Sequence, residues 1–194
     1  MFLFPIIIIG VLILYFVGTF NKFVTTKKRI VASIQEIGNQ LKRQADLIPN
    51  LVESVKGYMA HEQAALDKIT QARKMVMEVI SSGNAQKMVD ASTQLQQALA
   101  PIRAVFESTP QLQAAGPTSK LMDELRDTAD KVMYARRTLI DLVADYNTMV
   151  STIPSNIVAS VMGFKEEPGL TTPDEKEFTT VTAEETKTPE VKLN

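Results

Sequence analysis

Apolar residues fill the first twenty positions, MFLFPIIIIGVLILYFVGTF, without one charged side chain; beyond them they recur at alternating steps of four and three. Twenty helical residues span about 30 Å, the thickness of a bilayer's hydrocarbon core. Pro5 falls in the first turn, where its missing N–H costs little. Tyr15, Phe16 and Phe20 gather towards one end of the run, as aromatics do at a membrane interface. A cleaved signal peptide would want a basic leader, a shorter apolar core and a small-residue cleavage site, and GTFNKF supplies no such site. Residues 1–21 are therefore expected to form an uncleaved transmembrane anchor. Lys22, Lys27, Lys28 and Arg29 follow it, and the first acid is Glu36. Basic flanks stay cytoplasmic, which predicts a single pass through the inner membrane, N-terminus outside and body in the cytoplasm.

Residues 22–164 carry helical periodicity almost throughout. Ile30, Ile34, Ile37 and Leu41 extend a helix out of the anchor. Asp46 then reads as an N-cap, placing Pro49 in the first turn of a new helix; a continuous helix kinked at Pro49 is the alternative. The stripe Leu51, Val55, Tyr58, Glu62, Ala65, Ile69, Ala72, Val76, Val79 predicts one helix over 47–80, closed by a turn at Ser81–Asn84. Met88 to Phe106 predicts a third helix, broken or kinked near Ala98 by Pro101, then a loop over 107–118. Leu121 to Ile153 repeats four-three over nine steps and predicts a last helix about 50 Å long, capped by Thr118 or Ser119. The expected fold class is all-α: an N-terminal transmembrane helix, then an antiparallel bundle of long helices. Val52, Met59 and Leu66, spaced by seven, either form a second seam for self-association or widen the core-facing stripe.

Pro154-Ser155 ends the last long helix, and Asn156 to Met162 reads as a short amphipathic piece closed by Gly163-Phe164. Residues 165–194 differ in kind. They hold eight acids, four Lys, seven Thr and one aromatic, Phe178. Such a segment cannot bury enough apolar surface to offset its chain entropy and is expected to be a disordered acidic tail. Its negative charge leaves the rest mildly basic, as suits a body near anionic lipid.

The net charge of −1 gives no reason to expect nucleic acid as a partner. With no Cys, disulfides, thiol chemistry and Cys-ligated metals are excluded. His61 is the one imidazole. His61-Glu62 begins like HExxH, but Ala65 stands where the second His belongs. No Gly-x-Gly and no Gly-Lys-Ser/Thr occurs. Neither catalysis, nor a cofactor, nor a small-molecule substrate is expected. Glu62, a carboxylate on an apolar stripe, must find a donor or be protonated. It is read as a structural partner of Arg73, Arg136 or a tyrosine hydroxyl, with an ion-binding or proton site as the functional alternative.

Gln40-Leu41-Lys42-Arg43, Asp46 to Glu53, Val55 to Tyr58 and His61-Glu62 resemble the most distinctive block of the LemA family. Ala72-Arg73, Pro110, Leu112, Ala114, Ala135-Arg136, Tyr146-Asn147, Pro154-Ser155-Asn156, Val158-Ala159 and Gly163-Phe164 extend the resemblance over about residues 20–166. Departures mark a divergent member: Ile34 replaces the family's Trp, Thr118 a Phe, Leu139-Ile140 a Tyr-Asn pair, and Ala129 an acid. The resemblance implies a membrane-anchored helical bundle without known catalytic activity. The family includes a magnetosome protein, so magnetosome biogenesis and the magnetosome membrane are one implied setting. The family-motif positions, expected to be structural or interaction residues, are Asp46, Pro49, Asn50, Lys56, Gly57, Tyr58, His61, Glu62, Arg73, Tyr146, Asn147, Pro154 and Asn156. The function expected is that of an interaction or scaffold protein bound to the bilayer and to a protein partner or to itself. A tethered adaptor recruiting through its acidic tail is the alternative.

Overall fold

The computed structural model describes residues 3–60 and 62–171. The expectations placed on His61 and on residues 172–194 lie outside the described residues. Six helices follow one another: α1 (Leu3–Val55), α2 (Gln63–Ser82), α3 (Ala85–Ser108), α4 (Pro110–Ala114), α5 (Gly116–Ser151) and α6 (Ser155–Met162). The fold is all-α, with no strand among the described residues.

The first helix is longer than expected. It runs unbroken for 53 residues, from the apolar run into the body and through Pro49, so Asp46 caps nothing. Its apolar part is long enough to cross a membrane, and none of that stretch is fully buried by the described residues. A proline inside a helix strips the carbonyl four residues back of its donor. Here that carbonyl is Ala45 O, and Arg73 Nε of α2 donates to it at 2.8 Å. Leu41, Ala45, Ile48, Leu51 and Val55 are buried on both sides of the proline, while Pro49 faces solvent. Packing and the borrowed donor together keep the helix continuous through a residue costing about 3 kcal/mol in a helix interior.

The expected helix over 47–80 is thus two helices. The chain reverses at Lys56 to Ala60, and Met59, 1% exposed, plugs the turn while Tyr58 is 53% exposed. Glycine at position 57 lowers the cost of leaving the helix. The four-three stripe survives the reversal by coincidence. Met59 and Leu66 are buried and Val52 is half-buried, so they widen the core rather than form a second seam.

Three long-range pairings set the topology. Phe23 meets Tyr146, Ser33 Oγ donates to Ala135 O, and Arg43 Nε donates to Glu124 Oε1. The numbers rise on α1 as they fall on α5, so these two are the long antiparallel pair. α5, with 36 residues, is about 54 Å long. α2 folds back down α1, as Arg73–Ala45 shows, and α3 climbs again from Gly83, whose φ of +66° turns the chain. Asn84 caps α3, its Oδ1 accepting from Lys87 N. α3 continues through Pro101 without the expected break. The expected loop over 107–118 contains α4 and the first turn of α5, which starts at Gly116-Pro117 and has no side-chain cap. The core, from Phe23 to Ala159, centres on α1.

After α6 the described residues to Thr171 are irregular, and residues 165–171 are held to the bundle. Asn147 Nδ2 donates to Glu167 O and Glu167 N donates to Asn147 Oδ1, both at 2.9 Å. Gln86 clamps Thr171 in the same two-way manner. Leu170 packs on the core between them. Residues 165–171 form a strap from the end of α5 to the start of α3.

Candidate functional site

The residues of the sequence motif do not converge. Asp46, Pro49 and Asn50 lie on the exposed face of α1, where Asp46 stands 3.9 Å from Lys42 Nζ. Lys56, Gly57 and Tyr58 form the exposed turn at the distal tip. Glu62 is exposed at the N-cap position of α2, and its side chain caps no backbone N–H. The expectation of a buried, paired Glu62 is therefore corrected. Arg73 is engaged with Ala45 O, and Arg136 sits level with about Ala32, far down the bundle.

A second group gathers at the opposite, anchor-proximal end. Tyr146 is fully buried and meets Phe23 edge-on at 5.6 Å. Phe164 stacks on Phe23 at 4.7 Å and lies 5.8 Å from Phe20. Lys27 Nζ pairs with Glu167 at 2.7 Å, and Asn147 holds the same residue's backbone. The hydrogen bond and charge of Glu167 hold the Lys27 ammonium above the usual lysine range, outweighing desolvation. Burial pushes the Tyr146 phenol up against the opposing pull of Lys27. Pro154 opens α6, and Asn156 points a buried Oδ1 without a partner into this base. Tyr146, Asn147, Pro154 and Asn156 thus gather at this base, where Asn147 holds the strap and Tyr146 packs on Phe23 of α1.

A concavity of mixed chemistry lies elsewhere. α3 and α5 both pack against neighbours, α3 on α2 and α1, α5 on α1, but hardly on each other. Between them runs a groove of about 570 Å³. Val89, Met122 and Val132 give it a buried apolar floor, with Phe106 and Met133 at its walls. Three guanidinium groups, Arg103, Arg126 and Arg136, enter it against two carboxylates, Glu107 and Asp130. Arg103 is braced by Gln96 Oε1, and the same amide's Nε2 is buried without a partner. Apolar floor, arginine rim and a spare amide donor suit a segment that offers an apolar side chain together with carboxylates. No group of acids or histidines able to hold a metal ion occurs among the described residues. Sequence reasoning missed the groove, because a space between two helices leaves no mark on either one's periodicity. Met133, 64% exposed, lies beside the α5 stripe at the groove's wall.

A family model described as LemA family matches residues 33–192. A curated relative, Protein LemA of Metamycoplasma hominis, is 24% identical over 157 residues, covering 81% of this chain and 71% of the relative.

Proposed function

Since the chain belongs to the LemA family, we propose that it is a membrane-anchored scaffold or interaction protein working by binding, with the groove between α3 and α5 as its docking surface. The groove carries this reading. It combines an apolar floor with three arginines on a bundle continuous with its candidate span. Its occupant is an acidic protein segment with an apolar residue among the carboxylates. The chain's own residues 172–194 have that chemistry: Asp174, Glu175 and Glu177 precede Phe178. They also continue from Thr171, which Gln86 fixes one helical turn before Val89 at the groove's mouth. A tethered segment acts at high effective concentration, so the tail is the natural first occupant, displaced by a partner of like chemistry.

The probe is a labelled peptide of residues 172–194, titrated by anisotropy onto the chain truncated after Thr171 in nanodiscs. Saturable binding that weakens with salt, and by tenfold or more with Arg103→Glu or Arg136→Glu, is the expected result. Absent binding, or binding indifferent to both arginines, overturns the groove as the docking surface.

The anchor's flanking charge supports an outside N-terminus and a cytoplasmic body. In this Cys-free chain, a cysteine at exposed Lys120 should resist a membrane-impermeant maleimide in intact cells. Prompt labelling reverses the orientation.

A further inference from the structure

The register of α1 against α5 says where the body meets the bilayer. Phe23 with Tyr146, Ser33 with Ala135 and Arg43 with Glu124 keep one spacing along the pair. Carried on, it sets Ser151, the last residue of α5, level with about Val17. Phe16 and Phe20 are indeed partly covered by the body, in the company of Met149, Val150 and Phe164. Yet a span of the required length, about 20 residues, still includes positions 17–20. The end of α5, the turn at Thr152–Pro154 and α6 therefore reach the depth where the span leaves the hydrocarbon.

The side chains exposed there are apolar. Ile153 is 82%, Ile157 61% and Val161 68% exposed, at successive steps of four, while Val158 and Ala159 on the other face are buried against the bundle. Met162 is also exposed. In water this would be an unexplained hydrophobic ridge; at this depth it faces acyl chains and glycerol. Lys22, Lys28, Arg29 and Lys165 are exposed nearby, at or just beyond the same level, where headgroup phosphates lie.

We propose that α6, with Ile153, is an interfacial membrane helix, a second contact that seats the base of the bundle in the leaflet its anchor enters. The proposal rests on α1 as the span, not on the groove. A single tether leaves a body free to swivel; a second contact one or two turns away fixes its tilt and azimuth. Asn156 and Tyr146, with their buried and unpartnered oxygens, belong to the packing that holds α6 in place rather than to the lipid contact.

Spin labels on single cysteines at Ile153, Ile157 and Val161 test it in the full chain, with Leu12 and Lys120 as controls, in nanodiscs of phosphatidylcholine and phosphatidylglycerol holding one copy each. All five positions are exposed, so labelling leaves the packing intact, which an unchanged melting curve checks. The expected result is oxygen accessibility exceeding that of a water-soluble nickel chelate at 153, 157 and 161, at depths between those of Leu12 and Lys120. Chelate accessibility equal to that of Lys120 overturns the proposal while Leu12 still reports the span. A chelate-accessible Leu12 overturns the anchor itself. Protection that appears only when discs hold two copies means a second copy covers the ridge, which also overturns it.

Discussion

Arg73 does its work on a carbonyl that a proline leaves bare. Ala45 O receives Arg73 Nε at 2.8 Å because Pro49, four residues on, has no N–H to give. A hydrogen bond from a charged donor contributes about 1.5–3 kcal/mol, so Arg73→Met should lower stability by that order. The decisive comparison is a cycle with Pro49→Ala. Once residue 49 supplies its own N–H, the same Arg73 change should cost markedly less in urea unfolding. Equal costs in both backgrounds would mean Arg73 acts only through its aliphatic stem. Glu62, by contrast, is exposed and its side chain caps nothing, so Glu62→Ala should shift stability by no more than about 0.5 kcal/mol. A loss of several kcal/mol would restore the buried-pair reading.

At the scale of elements, the strap is the part most easily undone. It is held to α5 by the amide pair at Asn147, two bonds of 2.9 Å, and by Ser151 Oγ donating to Glu166, to α1 by the Lys27–Glu167 pair, and to α3 by the matching pair at Gln86. Asn147→Ala should weaken the strap locally by about 1–2 kcal/mol. Faster tryptic cleavage at Lys165, with hydrogen exchange rising at Glu167 before the helices change, would register it. Unaltered exchange there would assign the hold to the Lys27–Glu167 pair, Ser151 and the apolar contacts of Leu170 and Phe164. This element also marks what the sequence revealed and what it hid. The long apolar N-terminal helix, the α5 stripe, the turn at Gly83 and the amphipathic α6 were legible, because each is written in local composition, periodicity or a positive-φ glycine. The reversal at Lys56–Ala60 was not, since Met59 replaces Tyr58 in the core and the four-three rhythm continues across two antiparallel helices. The continuity through Pro49 was legible only as the alternative to a new helix, since the choice depends on a donor 28 residues away; the strap was not, its partners being single amides remote in sequence. The candidate groove was invisible for the same reason: it is defined by two helices not touching.

For the whole molecule, the base is where α1, α5, α6 and the strap meet, and its chemistry sets an upper pH limit. Lys27 is held protonated by Glu167, and Tyr146 is held neutral by burial. Both folded values lie above the unfolded ones, so the fold retains protons that the unfolded chain releases. Their contribution is complete below about pH 10 and lost as pH climbs through the raised values. Melting temperatures of the full chain in nanodiscs should hold through pH 9 and fall beyond 10. Tyr146→Phe should blunt that fall, and at neutral pH it should cost less than about 1 kcal/mol, because the buried hydroxyl has no partner to lose. A steeper fall in the variant would show that the phenol is not the group concerned.

The unbroken course of α1 makes the protein a lever. From Phe20 to Val55 it rises about 50 Å with no hinge, and α5 splints most of that length. Transmembrane helices tilt by about 20° on average, with bilayer thickness among the causes, and such a tilt would carry the distal turn at Tyr58 sideways by about 17 Å. Any change of tilt that the contact at α6 permits is thus carried undiminished to the distal turn. A flexible joint at Asp46 would have absorbed it.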